Sequence, residues 1–201
     1  MIVKKQIIKI NQNPFDLFDN WFQKAKRKEI NDHNAMNLAT VNKRLQPSSR
    51  IVLLKSYDKK GFVFYTNINS NKGKNIKNNS KVALNFYWKS LFLQVRIEGI
   101  AQIVSSEESD NYFNSRIKES RIGAWASKQS SLLKNRKILE KRFQGYTTMF
   151  KNNNIPRPSY WIGIRVKPKL FEFWKKMPHR LHDRVQFIKA SKRWKSKRLY
   201  P

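Results

Sequence analysis

The feature of this sequence that most constrains its fold is a series of short runs rich in β-branched and aromatic residues, separated by polar turns. Three such runs lie at residues 37–41, 50–55 and 62–66, and a polar turn at 58–61 precedes the third. Runs of this length and composition predict β-strands. Because the connections between them are short, neighbouring strands are expected to pair antiparallel, as a meander.

The rest of the chain continues this pattern and adds helices. Further strands are predicted at residues 82–88, 91–104, 161–166, 170–174, 181–188 and 194–199. Helices are predicted from residue 13 to about 28, from an N-cap at Ser70 to residue 78, from a capping box that begins at Ser105, and from about 131 to 150. The predicted fold class is mainly β (α+β): one antiparallel barrel, split or closed, over residues 1–201, with helices packed outside it.

Charge is the compositional property that bears on partners. The chain has 43 Lys and Arg residues against 13 Asp and Glu, which gives a formal net charge of +30. Such an excess is typical of proteins that bind nucleic acid or an anionic membrane surface. The cations are dispersed, however, and Lys and Asn fill most tolerant positions, as in residues 72–81, so drift toward AT-rich codons is the preferred explanation. We expect no nucleic-acid partner and keep a basic, nucleic-acid-binding barrel as an alternative function.

Several classes of catalytic site are excluded by residues that the sequence lacks. It has no Cys, and its six Gly residues form neither a dinucleotide-binding fingerprint nor a phosphate-binding P-loop. It contains no G-x-S-x-G nucleophile elbow, and its three His residues form no zinc motif, so no metal is expected. Acidic residues are too scarce for paired-carboxylate hydrolysis. If the protein is an enzyme, a bound organic cofactor is expected to carry the reaction.

The cellular location is predicted from similar considerations. Residues 1–10 are basic and apolar, but Lys9 interrupts the run and no cleavage site of small residues follows, so no signal peptide is expected. No apolar run approaches the roughly 20 residues that span a bilayer. Because the absence of Cys fits a reducing compartment, we predict a cytoplasmic protein without membrane contact.

One group of residues has the spacing of a phosphate site. Tyr112, Arg116 and Ser120 are four residues apart, so on one continuous helix they share a face that could cradle a phosphate, although the pattern alone favours an exposed helix face that carries one Arg. A second phosphate could lie at the predicted helix after Ser70, where Lys72 follows the N-cap. Neutral groups suited to the edge of a heteroaromatic ring are supplied by Gln94, Gln129 and Ser130.

Two other groups of cations are set by strand spacing. Arg180, His182 and Arg184 alternate along a predicted strand, so they lie on its same side and favour an anionic ligand over an exposed basic edge. Arg50 and Lys55 have odd spacing and lie on opposite faces of a straight strand. Each of these two is expected to serve a different anion, unless a bulge brings them together.

Taken in order, these motifs resemble the pyridoxamine 5'-phosphate oxidase family. The residues that carry the resemblance are RIVLLK at 50–55, FYTN at 64–67, IGAW at 122–125, SKQSS at 127–131, FEFW at 171–174 and RLHDR at 180–184. The similarity extends from about residue 15 to residue 201. It implies an FMN-binding split β-barrel that forms a homodimer with FMN at the subunit interface. It also implies oxidation of pyridoxamine and pyridoxine 5'-phosphates to pyridoxal 5'-phosphate, with oxygen as acceptor and hydrogen peroxide as product; a flavin protein with another substrate is the alternative.

The resemblance also implies roles for individual residues. FMN contacts are implied at Arg50, Ile51, Val52, Leu53, Leu54, Lys55, Tyr65, Thr66, Asn71, Lys72, Gln94, Gln129, Ser130, Trp174 and Arg184. Substrate contacts are implied at Lys55, Tyr112, Arg116, Ser120, Arg180, Leu181 and His182, with Arg180 and His182 as the catalytic residues.

This sequence departs from the family pattern at three places. Asn71 stands where the family usually has Arg, which is expected to weaken FMN binding, since one charge-assisted contact is lost. Lys175 stands where Gln, His or Gly is expected and adds charge near the flavin. The family's longer N-terminal extension is reduced to residues 1–13, which leaves open how the site is closed.

Overall fold

The computed structural model describes residues 7–201, which fold into one sheet and five α-helices. The strands are β1 (Ala35–Val41), β2 (Pro47–Leu53), β3 (Ser56–Asp58), β4 (Gly61–Asn67), β5 (Lys81–Trp88), β6 (Leu93–Ile103), β7 (Trp161–Lys175), β8 (Asp183–Ala190) and β9 (Arg193–Leu199). The helices are α1 (Pro14–Lys28), α2 (Asn71–Asn78), α3 (Ser106–Asn114), α4 (Lys118–Ala126) and α5 (Arg136–Met149). Residues 1–6, part of the short N-terminal segment 1–13, lie outside the described residues.

The strands of this region pair antiparallel throughout. Their order is β2-β1-β5-β6-β7-β4-β3, and the hairpin of β8 and β9 continues the sheet from β7. One edge of β7 serves two neighbours, because residues 161–166 pair with β4 and residues 170–175 pair with β8. The sheet therefore branches at β7, and it curls into an antiparallel half-barrel, which confirms the predicted fold class.

The main core lies between the inner face of the sheet and α1. Buried side chains alternate with more exposed ones along β1, β5 and β6, as expected for strands with one face in a core. α1 is capped by Asn13, whose side chain accepts a hydrogen bond from the Phe15 amide. Phe18 of α1 is fully buried and contacts the rings of Phe62 and Phe86 from the sheet. The first predicted helix is thus confirmed and forms part of the barrel core.

A second, smaller core is built by the helices α3, α4 and α5. Its buried members are Phe113, Ile122, Phe150, Ile155 and Trp161. Trp161 is also the first residue of β7 and pairs with Asn67 of β4. The helical cluster is therefore joined to the sheet at Trp161, and the space beside this junction holds the site described below.

The predicted continuous helix through Tyr112, Arg116 and Ser120 is wrong. α3 ends at Asn114, and α4 begins only at Lys118. Ile117, between them, has φ −59° and ψ 149°, an extended conformation that no α-helix contains. The three side chains therefore come from two helices and the bend between them.

The strand predicted at 181–188 begins later than expected, at Asp183. Residues Pro178–Arg180 form a single 3-10 turn in which His179 and Arg180 have φ values of +56° and +59°. Left-handed backbone at two successive residues cannot belong to a strand. Arg180 and His182 therefore precede β8, and the predicted strand face shared by them with Arg184 is wrong.

Other boundaries differ in smaller ways. The predicted helix from about 131 starts at Arg136, and the strands predicted at 161–166 and 170–174 form the single strand β7. The short strand β3 and the helix α4 were not predicted. The N-caps at Ser70 and Ser105 are confirmed, since their hydroxyls accept hydrogen bonds from the amides of Gly73 and Glu108.

The buried carboxylate of Asp183 connects both ends of the described chain. It accepts a hydrogen bond from the Ile8 amide at 2.6 Å and another from the Arg198 guanidinium. Arg198 also donates to the Ile8 carbonyl at 2.8 Å. Residue 8, the start of β8 and the end of β9 are therefore fixed to one another.

None of the helices within residues 7–201 has the length and apolar character needed to cross a bilayer.

Candidate functional site

A cavity of about 710 Å³ lies beside the junction of the sheet with the helical cluster. Its walls come from the end of β2, from β4 and α2, and from α3, α4 and the segment after α4. Eleven of the predicted site residues line it: Ile51, Val52, Leu53, Lys55, Tyr65, Thr66, Lys72, Tyr112, Arg116, Ser120 and Gln129. Although the continuous helix assumed by the spacing argument is wrong, the fold brings Tyr112, Arg116 and Ser120 to one cavity across the break between α3 and α4.

At one end of the cavity, Lys72 is held by uncharged groups. Its Nζ lies 3.1 Å from Gln129 Oε1 and 3.4 Å from the hydroxyl of Ser70, which caps α2. Thr66 Oγ1 donates to the same Gln129 oxygen at 3.4 Å. Burial lowers the pKa of Lys72, and the nearby positive charge of Arg50 lowers it further. Two neighbouring cations beside a helix N-terminus form an environment that an anion would stabilise.

Arg50 lies next to this end without lining the cavity. Its Nη1 donates to the Leu38 carbonyl at 3.1 Å and to Thr40 Oγ1 at 2.8 Å, and its Nη2 donates to Ser48 Oγ at 2.7 Å. All three acceptors are neutral, so they fix the guanidinium without cancelling its charge. Burial lowers the pKa of Arg50.

The other end of the cavity is aromatic. The rings of Tyr65 and Tyr112 stack with centroids 4.1 Å apart, and Tyr65 also stacks on Trp161 at 5.0 Å. Lys55 and Arg116 lie against this group, with Lys55 Nζ 6.0 Å from the Tyr112 centroid and Arg116 Cζ 4.9 Å from the Trp161 ring. Burial raises the pKa of Tyr65 to about 12, with a further contribution from the Glu108 charge, so its phenol stays protonated at neutral pH.

Arg116 has an unusual environment for a charged side chain. Its Nη1 is buried and has no hydrogen-bond partner among residues 7–201. Burial lowers the pKa of the guanidinium, which nevertheless remains charged at neutral pH. Within the same described range, no carboxylate forms an ion pair with Arg116, Lys55 or Lys72. A buried cationic donor without a partner is costly, and its position in a cavity points to an anionic ligand.

A second group of predicted residues lies on the neighbouring strands, and we call it the strand group: Gln94, Trp174, His182 and Arg184. Gln94 pairs with Trp174 across β6 and β7, and Trp174 pairs with Arg184 across β7 and β8. The His182 ring lies 4.6 Å from that of Trp174, and its Nδ1 accepts a hydrogen bond from the Met177 amide at 3.2 Å. None of the strand group lines the cavity of its own protomer.

Arg184 is held by a buried carboxylate. Its Nε and Nη2 donate to Glu172 Oε1 at 3.0 and 2.7 Å, and its Nη1 donates to the Tyr200 carbonyl at 3.0 Å. Arg96 donates to the other Glu172 oxygen at 2.7 Å. Burial alone would raise the pKa of Glu172, but the hydrogen bonds from Arg184 and Arg96 outweigh it and lower that pKa.

The remaining predicted residues are placed apart from the cavity. Leu54 is buried in the main core, whereas Asn71, Ser130, Arg180 and Leu181 are exposed. Sequence reasoning missed six residues that line the cavity: Asn67, Ile117, Gly123, Ala124, Ser127 and Trp161. Trp161 could have been suspected, because it begins a strand directly after a segment rich in proline and therefore lies where a loop meets the sheet.

The residues present fit a phosphorylated organic cofactor. A cavity of this volume is in the range of small-molecule sites. Lys72 on one side, and Lys55 with Arg116 on the other, have no carboxylate partner within residues 7–201, which suits two anionic groups, and Thr66, Ser120 and Gln129 supply neutral donors and acceptors. Of the residues predicted to contact FMN, those that would hold it in this protomer are Ile51 to Leu53, Lys55, Tyr65, Thr66, Lys72 and Gln129 in the cavity wall, with Arg50 beside Lys72.

Two solved structures with the same fold define the structural class to which this chain belongs. The structure of PhzG from Burkholderia lata in complex with tetrahydrophenazine-1-carboxylic acid superposes with a TM-score of 0.89 at 28% identity, covering 94% of this chain and 93% of that one. A pyridoxamine 5'-phosphate oxidase-related, FMN binding protein from Nostoc punctiforme superposes with a TM-score of 0.76 at 14% identity, covering 96% and 100%. The fold is that of the FMN-binding split barrels.

Sequence comparison then identifies the family. The model described as pyridoxamine 5'-phosphate oxidase matches residues 22–150, and that described as the pyridoxine 5'-phosphate oxidase C-terminal dimerisation region matches residues 161–201. Proteins named pyridoxine/pyridoxamine 5'-phosphate oxidase are 53% identical over 193 residues in Bartonella henselae and 50% identical over 190 residues in Rhizobium meliloti. These matches cover 94% of this chain and 93% and 92% of those proteins. The chain belongs to the pyridoxamine 5'-phosphate oxidase family, as the sequence motifs predicted.

Proposed function

We propose that this protein oxidises pyridoxamine and pyridoxine 5'-phosphates to pyridoxal 5'-phosphate in vitamin B6 salvage. FMN is its cofactor, and oxygen accepts the electrons to give hydrogen peroxide. The assignment is supported by the family membership and by relatives of about 50% identity that bear this activity in their names. The protein acts as a homodimer, in keeping with the dimerisation region matched at residues 161–201. We place it in the cytoplasm, since a chain without Cys suits a reducing compartment.

The observation that carries this proposal is the unpartnered guanidinium of Arg116 in the cavity. Arg116 lies with Lys55, Tyr112 and Ser120 around one end of the cavity. Two cations and two hydroxyls match the charge and the acceptor oxygens of a phosphate dianion. A phosphorylated substrate held there would have its ring fixed relative to the cofactor, and such positioning is a large part of catalysis between bound reactants.

The two phosphates are divided between the ends of the cavity. Lys72 and Arg50, with Thr66 and Gln129, hold the phosphate of FMN near the start of α2, and Arg116 with its neighbours holds that of the substrate. Bound FMN supplies the ring that accepts hydride from the substrate. The unequal surroundings of the two ends, polar near Lys72 and aromatic near Arg116, separate the two ligands.

The strand group of one protomer completes the cavity of the other. In support, its members line no part of their own protomer's cavity, and they lie in the segment matched to the dimerisation region or, for Gln94, beside it on β6. His182 accepts a hydrogen bond at Nδ1, so in its neutral form the proton is on Nε2, which can donate to the substrate. Arg180, which is exposed and lies two residues before His182, supplies positive charge that stabilises the substrate during its oxidation.

The test is a cofactor and turnover measurement on the purified protein. We expect flavin absorbance, and hydrogen peroxide formation from pyridoxine 5'-phosphate. In the Arg116→Ala variant we expect KM to rise by about 10- to 100-fold with flavin retained, because a charge-assisted contact of about 1.5–3 kcal/mol is lost. A colourless protein that does not bind added FMN, or a variant with unchanged KM, would contradict the proposal.

A second candidate is a flavin oxidase of an unphosphorylated polycyclic acid. It is favoured by the structural likeness to PhzG, whose complex contains a tetrahydrophenazine carboxylic acid. Turnover of that acid with no turnover of pyridoxine 5'-phosphate would select this candidate. Arg116 and Lys55 could bind a carboxylate, but two cations and two hydroxyls suit a dianion better.

A further inference from the structure

Trp161 is one of the cavity residues that the sequence did not suggest, and it is held firmly in place. Its side chain is 8% exposed and belongs to the helical core with Phe113 and Ile122. Its backbone is held on both sides, since its amide donates to the Pro158 carbonyl at 2.9 Å and its carbonyl accepts from Arg157 Nη1 at 2.7 Å. The indole ring is therefore a rigid wall of the cavity.

This wall carries Arg116. The guanidinium carbon lies 4.9 Å from the indole centroid and 5.7 Å from that of Phe113. A guanidinium stacks well on an aromatic face, and the stacking leaves its N–H edge free for a planar, bidentate contact. No carboxylate within residues 7–201 competes for that edge, and the buried Nη1 has no partner there.

The position of Arg116 in the chain makes the indole more important. Arg116 lies in the bend between α3 and α4, so no regular helix fixes the direction of its side chain. Within residues 7–201, Arg116 donates a single hydrogen bond, from its backbone amide to the Phe113 carbonyl at 3.2 Å. Without the indole, its long side chain would sample several rotamers, and ordering it on ligand binding would cost conformational entropy.

We propose that Trp161 is a specificity-determining residue, which gives the cavity its preference for phosphorylated over unphosphorylated ligands by holding Arg116 in the orientation that binds phosphate. This inference rests on the proposed function, in which Arg116 binds the substrate phosphate. Trp161 acts through Arg116 and is a positioning residue. Its removal should therefore weaken binding of the phosphate while leaving binding of the ring unchanged.

The experiment compares two ligands that cannot be oxidised at C4'. The FMN-loaded protein is titrated calorimetrically with 4-deoxypyridoxine 5'-phosphate and with 4-deoxypyridoxine, and the ratio of the two Kd values measures phosphate discrimination. In Trp161→Leu we expect this ratio to fall by about tenfold, the loss of a desolvated cation–π contact. In Trp161→Phe, which keeps an aromatic face, we expect a fall of about threefold or less.

Two controls separate positioning from general structure. Trp125 packs against the same helical core and donates from Nε1 to the Pro156 carbonyl, whereas the cation–π contacts of Arg116 are with Phe113 and Trp161. Trp125→Leu should leave the ratio unchanged. In an Arg116→Ala background, the added Trp161→Leu change should produce no further fall in the ratio, as expected for coupled residues.

Each outcome decides the matter. A folded Trp161→Leu protein with an unchanged ratio, or an equal fall in Trp125→Leu, overturns the inference. If Trp161→Leu does not fold, Trp161→Phe is compared with the unmodified protein both with Arg116 present and in the Arg116→Ala background. A fall in the Kd ratio that persists without Arg116 overturns the inference. If Arg116→Ala itself leaves the ratio unchanged, the proposed phosphate site fails, and the role of Trp161 fails with it.

Discussion

The cavity and the strand group hold their cations in opposite ways. In the cavity, Lys55, Lys72 and Arg116 form no ion pair within the described part of the chain. In the strand group, Arg184 forms an ion pair with the buried carboxylate of Glu172, which Arg96 also contacts. The difference separates cations that await a ligand from a cation that the fold has already positioned. Binding capacity in this protein is therefore indicated by missing carboxylates more than by the number of cations.

Arg180 is the exception within its region, and it gives the strongest test of the comparison. It is exposed, has φ +59° and forms no ion pair among residues 7–201. In lacking a carboxylate partner, Arg180 is more similar to the cavity cations than to Arg184. In Arg180→Ala we expect turnover to fall by about 100-fold, as for loss of one charge-stabilising group, with FMN still bound. The measurement is steady-state peroxide formation together with flavin absorbance. The exposed Arg193→Ala is the control, and normal turnover in Arg180→Ala would remove Arg180 from the mechanism.

Replacing Glu172 should lower the stability of the fold, whereas replacing a cavity cation should not. Glu172→Ala leaves Arg96 and Arg184 without the carboxylate that both contact, and these arginines are 40% and 28% exposed. Because water reaches them in part, we expect a loss of about 2–3 kcal/mol in the free energy of unfolding, below the full cost of breaking a buried pair. Urea denaturation measures it. Glu98, 47% exposed in its pair with Arg96, is the control, and Glu98→Ala should cost about 0.5 kcal/mol or less. Equal losses in the two variants would break the comparison.

Adding a cation next to Lys72 should strengthen cofactor binding without strengthening the fold. Asn71, exposed at the start of α2, precedes Lys72 at the position where the family resemblance predicted Arg. In Asn71→Arg we expect the Kd for FMN to fall by about 3- to 10-fold, the effect of one partly exposed charge-assisted contact. Flavin fluorescence titration of the cofactor-free protein measures it. Asn78→Arg, at the other end of α2, is the matched control, and an equal gain there would reduce the effect to net charge.

The smallest expected effect is one of acid pH on the strand group. The pKa of Glu172 is lowered in the folded protein from its ordinary value of 4.5. A lowered carboxylate pKa contributes stability above the unfolded value, and that contribution is lost as pH falls through the folded value. The difference in free energy of unfolding between the unmodified protein and Glu172→Gln should therefore shrink as pH falls below about 4.5. A difference that stays constant between pH 7 and pH 3 would assign the role of Glu172 to packing.

The fold was largely predictable because its signals are local. The alternation along β1, β5 and β6 and the caps at Ser70 and Ser105 follow from side chains a few residues apart. The bend at Ile117 was not predictable in this way, since Tyr112 and Ser120 keep helical spacing on either side of it. The left-handed residues before β8 had only a weak sequence signal, because His is enriched in that conformation but Arg is not.

The candidate site was predictable in its residues and less so in its arrangement. Motif and spacing identified the cavity cations, but which of them lack carboxylate partners depends on pairing between distant strands. Glu172 lies 12 residues before Arg184, and only the register of β7 with β8 brings them together. A single acidic residue between Phe171 and Phe173, both buried, was the available signal of a buried ion pair.

The contact of Asp183 with Ile8 and Arg198 has a practical consequence for handling the protein. Since these residues lie far apart in the chain but are neighbours in space, the two ends of the described polypeptide emerge close together. A purification tag placed after Pro201 would begin close to Arg184, whose guanidinium donates to the Tyr200 carbonyl. The closeness of the two ends also makes the chain suitable for circular permutation, in which a short linker joins the original ends and new ends are opened in a distant loop.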